Sequence, residues 1–149
     1  MIDSLFTSGH ALLVGVGADL PDTITDAQGL AGILGDPVRC AYPPEQVHLL
    51  IGAQATRPAV LTSLETLAQT TDEQSTVLVY FSGHGCRIDS SDETAYYLMP
   101  YGYDVTDLEH TAISGDEFTA KLRDLPAQKL LLLLDCCHAG GVGAAKAPG

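Results

Sequence analysis

The stretch that decides the fold is Lys129-Leu130-Leu131-Leu132-Leu133-Leu134-Asp135-Cys136-Cys137-His138-Ala139-Gly140-Gly141. Five consecutive leucines are too few to cross a membrane. They predict a strand buried on both faces, as in a parallel sheet. The apolar run stops abruptly at Asp-Cys-Cys-His and two glycines. Open α/β sheets hold their sites outside the carboxyl ends of the strands, so nucleophilic residues delivered there are candidates for chemistry.

Working outward, Thr76-Val77-Leu78-Val79-Tyr80-Phe81 has the same form and runs into Ser82-Gly83-His84-Gly85. If the two strands lie side by side and parallel, His84 and the cysteines emerge on one edge of the sheet. His84 and Cys137 are 53 residues apart (137 − 84), which leaves room for a crossover connection. A thiol becomes a strong nucleophile when it ionises, and a neighbouring imidazole is the usual means. Adjacent strand residues point to opposite sides, so only one of Cys136 and Cys137 can face His84. Backbone N–H groups of Gly85 and Cys137 are candidate donors to the oxyanion of a tetrahedral intermediate.

The 149 residues predict one domain. A composition of 46% hydrophobic and 17% charged residues is globular rather than disordered. The formal net charge of −12 argues against a nucleic-acid partner and suits either a cationic substrate or simple solubility. Cys40, Cys86, Cys136 and Cys137 do not read as a disulfide framework, because two are adjacent. Met1-Ile2-Asp3-Ser4 has no basic n-region. A cytoplasmic, reduced setting without a membrane partner is the expectation. No CxxC pair points to structural zinc.

In chain order, His10 to Gly17 predicts a first strand, and Ala18 to Asp22 a loop. Gly15 and Gly17 do not extend to a dinucleotide fingerprint, since Leu20 stands where the third glycine belongs. A helix capped by Thr25 or Asp26 follows, with Ala27, Leu30, Ile33 and Leu34 inward. Val47 to Ile51 is a second strand. Thr56-Arg57-Pro58 opens a second helix, with Val60, Leu61, Leu64, Leu67 and Ala68 as its apolar stripe. Cys86 to Thr94 reads as a polar acidic loop, and Tyr96 to Pro100 as a short strand or edge segment. Tyr101 to His110 reads as a loop, and Ser114-Gly115-Asp116-Glu117 as a capping box that opens a third helix. Strands alternating with helices predict an α/β fold: a mostly parallel sheet with helices on both faces.

Tyr80-Phe81-Ser82-Gly83-His84-Gly85 and Asp135-Cys136-Cys137-His138-Ala139-Gly140 resemble the two motifs of caspase-like cysteine peptidases, above all the metacaspases and their bacterial relatives. Leu12 to Gly17, Asp26-Ala27, Ala55-Thr56-Arg57 and Tyr97-Leu98-Met99-Pro100-Tyr101 add to the likeness, which runs from about His10 to Gly141. The spacing between histidine and nucleophile agrees with caspases, although their Gln-Ala-Cys-x-Gly signature is absent.

The resemblance implies a three-layer caspase-like fold and a cysteine endopeptidase. It implies His84 as base and Cys137 as nucleophile, with His138 a structural neighbour. It implies that Asp135, with Asp19 and Asp22 behind it in the loop after the first strand, selects Arg or Lys before the scissile bond. The chemistry requires no cofactor, but many metacaspases need calcium, and Asp89, Asp92 and Glu93 are the candidate ligands. Residues 1–141 then read as the large-subunit region and residues 142–149 as a mobile linker toward the small subunit. The small-subunit strands are expected from another segment of the same precursor. Lys146 is a candidate site of self-cleavage, and a regulatory protein is a further partner consistent with the family. The rival readings are a catalytically silent homologue acting as a scaffold and a flavodoxin-like signalling module.

Overall fold

The computed structural model describes residues 5–137. His138, the linker 142–149 and Lys146 lie outside them. The elements run β1 Gly9–Gly15, α1 Asp22–Gly35, β2 Val47–Ile51, α2 Arg57–Thr70, β3 Thr76–Ser82 and β4 Gly85–Asp89. They continue with β5 Thr94–Leu98, the one-turn α3 Leu108–Thr111, β6 Ile113–Ser114, α4 Gly115–Arg123 and β7 Lys129–Asp135.

The main sheet has the order β2-β1-β3-β7, and every pairing in it is parallel. The two motif strands are therefore neighbours. Their register runs from Thr76 opposite Lys129 to Ser82 opposite Asp135, so the residues that follow each strand leave the sheet at the same level. One face carries Leu12, Val14, Val77, Val79 and Phe81, packed with Val60, Leu64 and Leu67 of α2 and Phe118 and Leu122 of α4. The other face carries Ala11, Leu13, Leu78 and Tyr80 against Ala27 and Leu34 of α1. This is the three-layer α/β arrangement expected from the strand and helix pattern.

The leucine strand departs from its prediction. Among the described residues β7 is the border strand, and its exposure alternates. Leu130, Leu132 and Leu134 pack on the α2/α4 side, while Leu131 and Leu133 are 52% and 37% exposed on the other. The reason is coverage: α1 packs chiefly over β1, β2 and β3.

The acidic stretch read as a loop is also different. Gly85–Asp89 is strand β4, paired antiparallel with β5, which in turn pairs with β6 in a small second sheet. Cross-strand pairing supplies order that a polar sequence does not advertise.

The helix starts are mixed. Thr56 caps α2, its hydroxyl accepting from the Ala59 N–H at 3.3 Å, and Ser114 caps α4, accepting from the Glu117 N–H at 3.1 Å. The Glu117 carboxylate does not complete a capping box in the usual way but accepts from Arg57 Nη2 at 2.7 and 2.9 Å. α1 begins at Asp22, before Thr25 and Asp26, with Pro21 ahead of it and no side-chain cap. Thr23, in its first turn, ties the helix to the preceding loop instead. Ile33, expected inward, is 43% exposed.

Candidate active site

A cleft of about 670 Å³ opens at the carboxyl ends of β1, β3 and β7. Its walls are the loop after β1 (Asp19 to Pro21), the start of α1 (Asp22, Thr23, Asp26), Ser82 to His84 after β3, and Asp135 to Cys137 after β7. Parallel strands deliver all these residues to one edge, so His84 and Cys137 line the same cavity.

The two loops that carry them touch. The Gly83 N–H donates to the Asp135 carbonyl at 3.3 Å, and the Met99 N–H donates to the His84 carbonyl at 3.0 Å. Gly85 meets Cys137 most closely: a Cβ at position 85 would lie 2.1 Å from the Cys137 carbonyl oxygen and 3.3 Å from Cys136 Sγ. Only glycine fits such an approach without displacement. The two main-chain segments expected to supply oxyanion donors, at Gly85 and Cys137, are thus in direct contact.

The adjacent thiols have different surroundings. Cys136 is half-buried and packs against the core beneath α2 and α4. Burial, with smaller contributions from Cys137 and Asp135, pushes its thiol up to about 11. Both residues line the cleft, and Cys137 is the exposed one of the two. A half-buried thiol whose proton is held by its surroundings is the poorer nucleophile, so the environment favours Cys137.

Four carboxylates line the cleft: Asp19, Asp22, Asp26 and Asp135. No lysine or arginine stands among its described lining residues. Asp135 ends β7 opposite Ser82, whose buried hydroxyl lies 3.4 Å from Asp135 Oδ2. Asp26 and Ser82 were not singled out from sequence as site residues. The available signal for Asp26 was its spacing of four residues from Asp22, which puts the two on one face of the helix in successive turns.

Asp19 stands apart. Its Oδ2 lies 2.8 Å from His84 Nε2, and the hydrogen bond from that ring holds the Asp19 carboxyl below the ordinary carboxylate range. The residue expected to read substrate charge is thus bonded to the expected base.

The acids proposed for calcium lie around the β4–β5 hairpin. Asp89 Oδ1 already accepts from Arg87 Nε at 2.9 Å and from Thr94 Oγ1 at 2.8 Å. Asp92 and Glu93 do not join it in a ligand cluster, and among the described residues no three His, Cys, Asp or Glu side chains are grouped to hold a metal ion. A carboxylate already neutralised by arginine is a poor calcium ligand, so this donor set does not fit the ion. No helix among the described residues is long and apolar enough to cross a membrane.

Metacaspase-1B of Aspergillus terreus is 28% identical over 146 residues, a match that covers 87% of this chain and 38% of the relative. The chain therefore spans well under half the length of that protein. The crystal structure of protein GSU0716 from Geobacter sulfurreducens shares the fold, with a TM-score of 0.67 at 22% identity over 89% of this chain and 51% of the other. The sequence profile of the caspase domain matches residues 8–148, and the chain belongs to the caspase domain family.

Proposed function

We propose that the chain is the large-subunit region of a cysteine endopeptidase that cleaves after Arg or Lys. The observation that carries this is the cleft itself, where an exposed thiol and an imidazole share one cavity with Asp22, Asp26 and Asp135. In the reaction His84 takes the Cys137 thiol proton, and the thiolate adds to the scissile carbonyl carbon. The oxyanion accepts hydrogen bonds from the Gly85 and Cys137 N–H groups. The C–N bond then breaks as His84 returns the proton to the leaving amine. Water, deprotonated by His84, hydrolyses the thioester and regenerates the thiol. The carboxylates attract a cationic side chain and orient it, and the planar guanidinium suits paired oxygens best. No step is assigned to calcium.

The exposed Leu131 and Leu133 on the border strand support addition of small-subunit strands beyond β7, from another segment of the same precursor. Self-cleavage at Lys146 is consistent with basic specificity.

The test is hydrolysis of peptides ending in Arg, Lys or Asp by the processed full-length protein and its Cys137→Ala variant. Arg and Lys peptides should be cut by the wild type alone. Asp135→Asn and Asp26→Asn should each lower kcat/KM for Arg peptides by about tenfold or more, given roughly 1.5–3 kcal/mol for a hydrogen bond to a charged group. Preference for Asp would remove the pocket assignment. No turnover of any peptide would favour the silent scaffold.

A further inference from the structure

We infer that Asp19 is a positioning residue for His84: its carboxylate selects the tautomer with hydrogen on Nε2 and leaves Nδ1 as the nitrogen that takes the Cys137 proton. This rests on the proposed pairing of His84 with Cys137. The starting observation is the 2.8 Å contact between His84 Nε2 and Asp19 Oδ2. A neutral imidazole has one donor nitrogen and one acceptor nitrogen, and an ionised carboxylate can only accept. The nitrogen facing Asp19 therefore carries the hydrogen, and the other nitrogen is bare. When Nδ1 takes the thiol proton, the imidazolium already has an opposite charge in hydrogen-bond contact with Nε2–H. That contact stabilises the ion pair formed with the thiolate.

The backbone around Asp19 is built to hold it there. The Leu20 N–H donates to the Gly17 carbonyl at 2.9 Å, closing a four-residue turn with Asp19 at its third position. Gly17 and Ala18 both take positive φ, at 69° and 57°. A left-handed alanine is uncommon and costs energy that a solvated surface loop has no reason to retain. The turn is clamped from the helix side by one hydroxyl. Thr23 Oγ1 accepts from the Gly17 N–H at 2.8 Å and donates to the Leu20 carbonyl at 2.7 Å. Thr23 itself is buried. Groups that orient a catalytic side chain need such support, whereas a charge that only adds to the rim does not. Among the described residues, Asp19 is the one hydrogen-bonded to the His84 ring, although Asp22, Asp26 and Asp135 line the same cleft. The Asp19 side chain is 69% exposed. Its effect is therefore smaller than that of a buried orienting carboxylate.

Long-range 1H–15N correlation spectra of the full chain with 15N-labelled histidine report the His84 tautomer directly. Site-resolved iodoacetamide alkylation followed by mass spectrometry reports the reactivity of Cys137. The wild type should show hydrogen on Nε2. Asp19→Asn, which can present an N–H instead of an acceptor, should mix or reverse the tautomers. It should also slow alkylation of Cys137 by about tenfold, below the roughly 10²–10⁴-fold that a whole acid–base residue contributes. Asp19→Glu should restore most of both. If Asp19→Asn leaves tautomer and alkylation unchanged and alters only the preference between Arg and Lys peptides, Asp19 is a pocket residue and the inference fails. Neither readout needs turnover. A wild type with hydrogen on Nε2 that cuts no peptide would sink the peptidase reading and leave this one standing.

Discussion

Gly85→Ala tests whether the cleft depends on the contact between its two loops. The added Cβ would lie 2.1 Å from the Cys137 carbonyl oxygen, whereas real Cβ contacts essentially never fall below 3.0 Å. The obstacle is main chain, so it cannot swing aside as a long side chain would. The Cys137 carbonyl, or the start of β4, must retreat by about 0.9 Å or more. Cys136 Sγ, at 3.3 Å, blocks part of the alternative path. Overpacking of this kind costs about 1–3 kcal/mol of stability. The larger effect falls on chemistry, because a misplacement of about 1 Å at the reacting atoms can cost roughly 10²-fold in rate. The expected result is a chain that still melts cooperatively, a few degrees lower, with kcat/KM for an Arg peptide down by about two orders of magnitude. Gly29→Ala in α1 is the internal control. A Cβ there meets nothing within 4 Å, and alanine in a helix interior should add about 0.5–1 kcal/mol of stability without changing turnover. Wild-type turnover in Gly85→Ala, with an unchanged melting curve, would refute the reasoning.

Other outcomes follow from other contacts. Cys137→Ala should lower turnover by at least about 10³-fold, while Cys136→Ser keeps most of it and loses about 1 kcal/mol of stability for its buried hydroxyl. The opposite pattern would mean that the wrong sulfur was chosen. Arg57 joins α2 to α4, its Nε donating to the Ala112 carbonyl at 3.0 Å and its Nη2 reaching both Glu117 oxygens. Arg57→Lys loses that planar geometry, and with both side chains about one-third exposed the loss should be about 1 kcal/mol, read as a lower urea midpoint. Burial holds the His10 imidazole below its ordinary value, so the unfolded chain takes up a proton near pH 6.5 that the folded chain resists. Stability should therefore fall as pH drops from about 7.5 to about 5.5, and the fall should be smaller in His10→Gln. Equal falls in the two proteins would remove His10 from that account.

Much of the fold is legible in the sequence. Thr76 to Phe81 and Leu130 to Leu134 are apolar enough to declare themselves strands, and the polar residues after each mark one sheet edge. The Thr56 and Ser114 caps are local chemistry, and both formed where the side-chain types called for them. Other features were hidden because they depend on partners far away in the chain. Glu117 looked like half of a capping box, but a guanidinium 60 residues earlier competes for its carboxylate. The polar strand β4 has no pattern of its own and exists because β5 pairs with it.

The amino-acid order alone determined the alternation of strands and helices, the placing of each motif at the carboxyl end of an apolar strand, and the chemistry those residue types can perform. These follow from local periodicity and side-chain type, whereas the pairing of the two motif strands as parallel neighbours came from the sheet. Only the tertiary structure decided that β7 lies at the border of the described sheet with two leucines uncovered, that Cys136 is half-buried against the core while Cys137 is exposed, and that Asp19 binds the imidazole. Each of those depends on which surfaces of distant elements come together, and side-chain spacing along a chain carries no record of that.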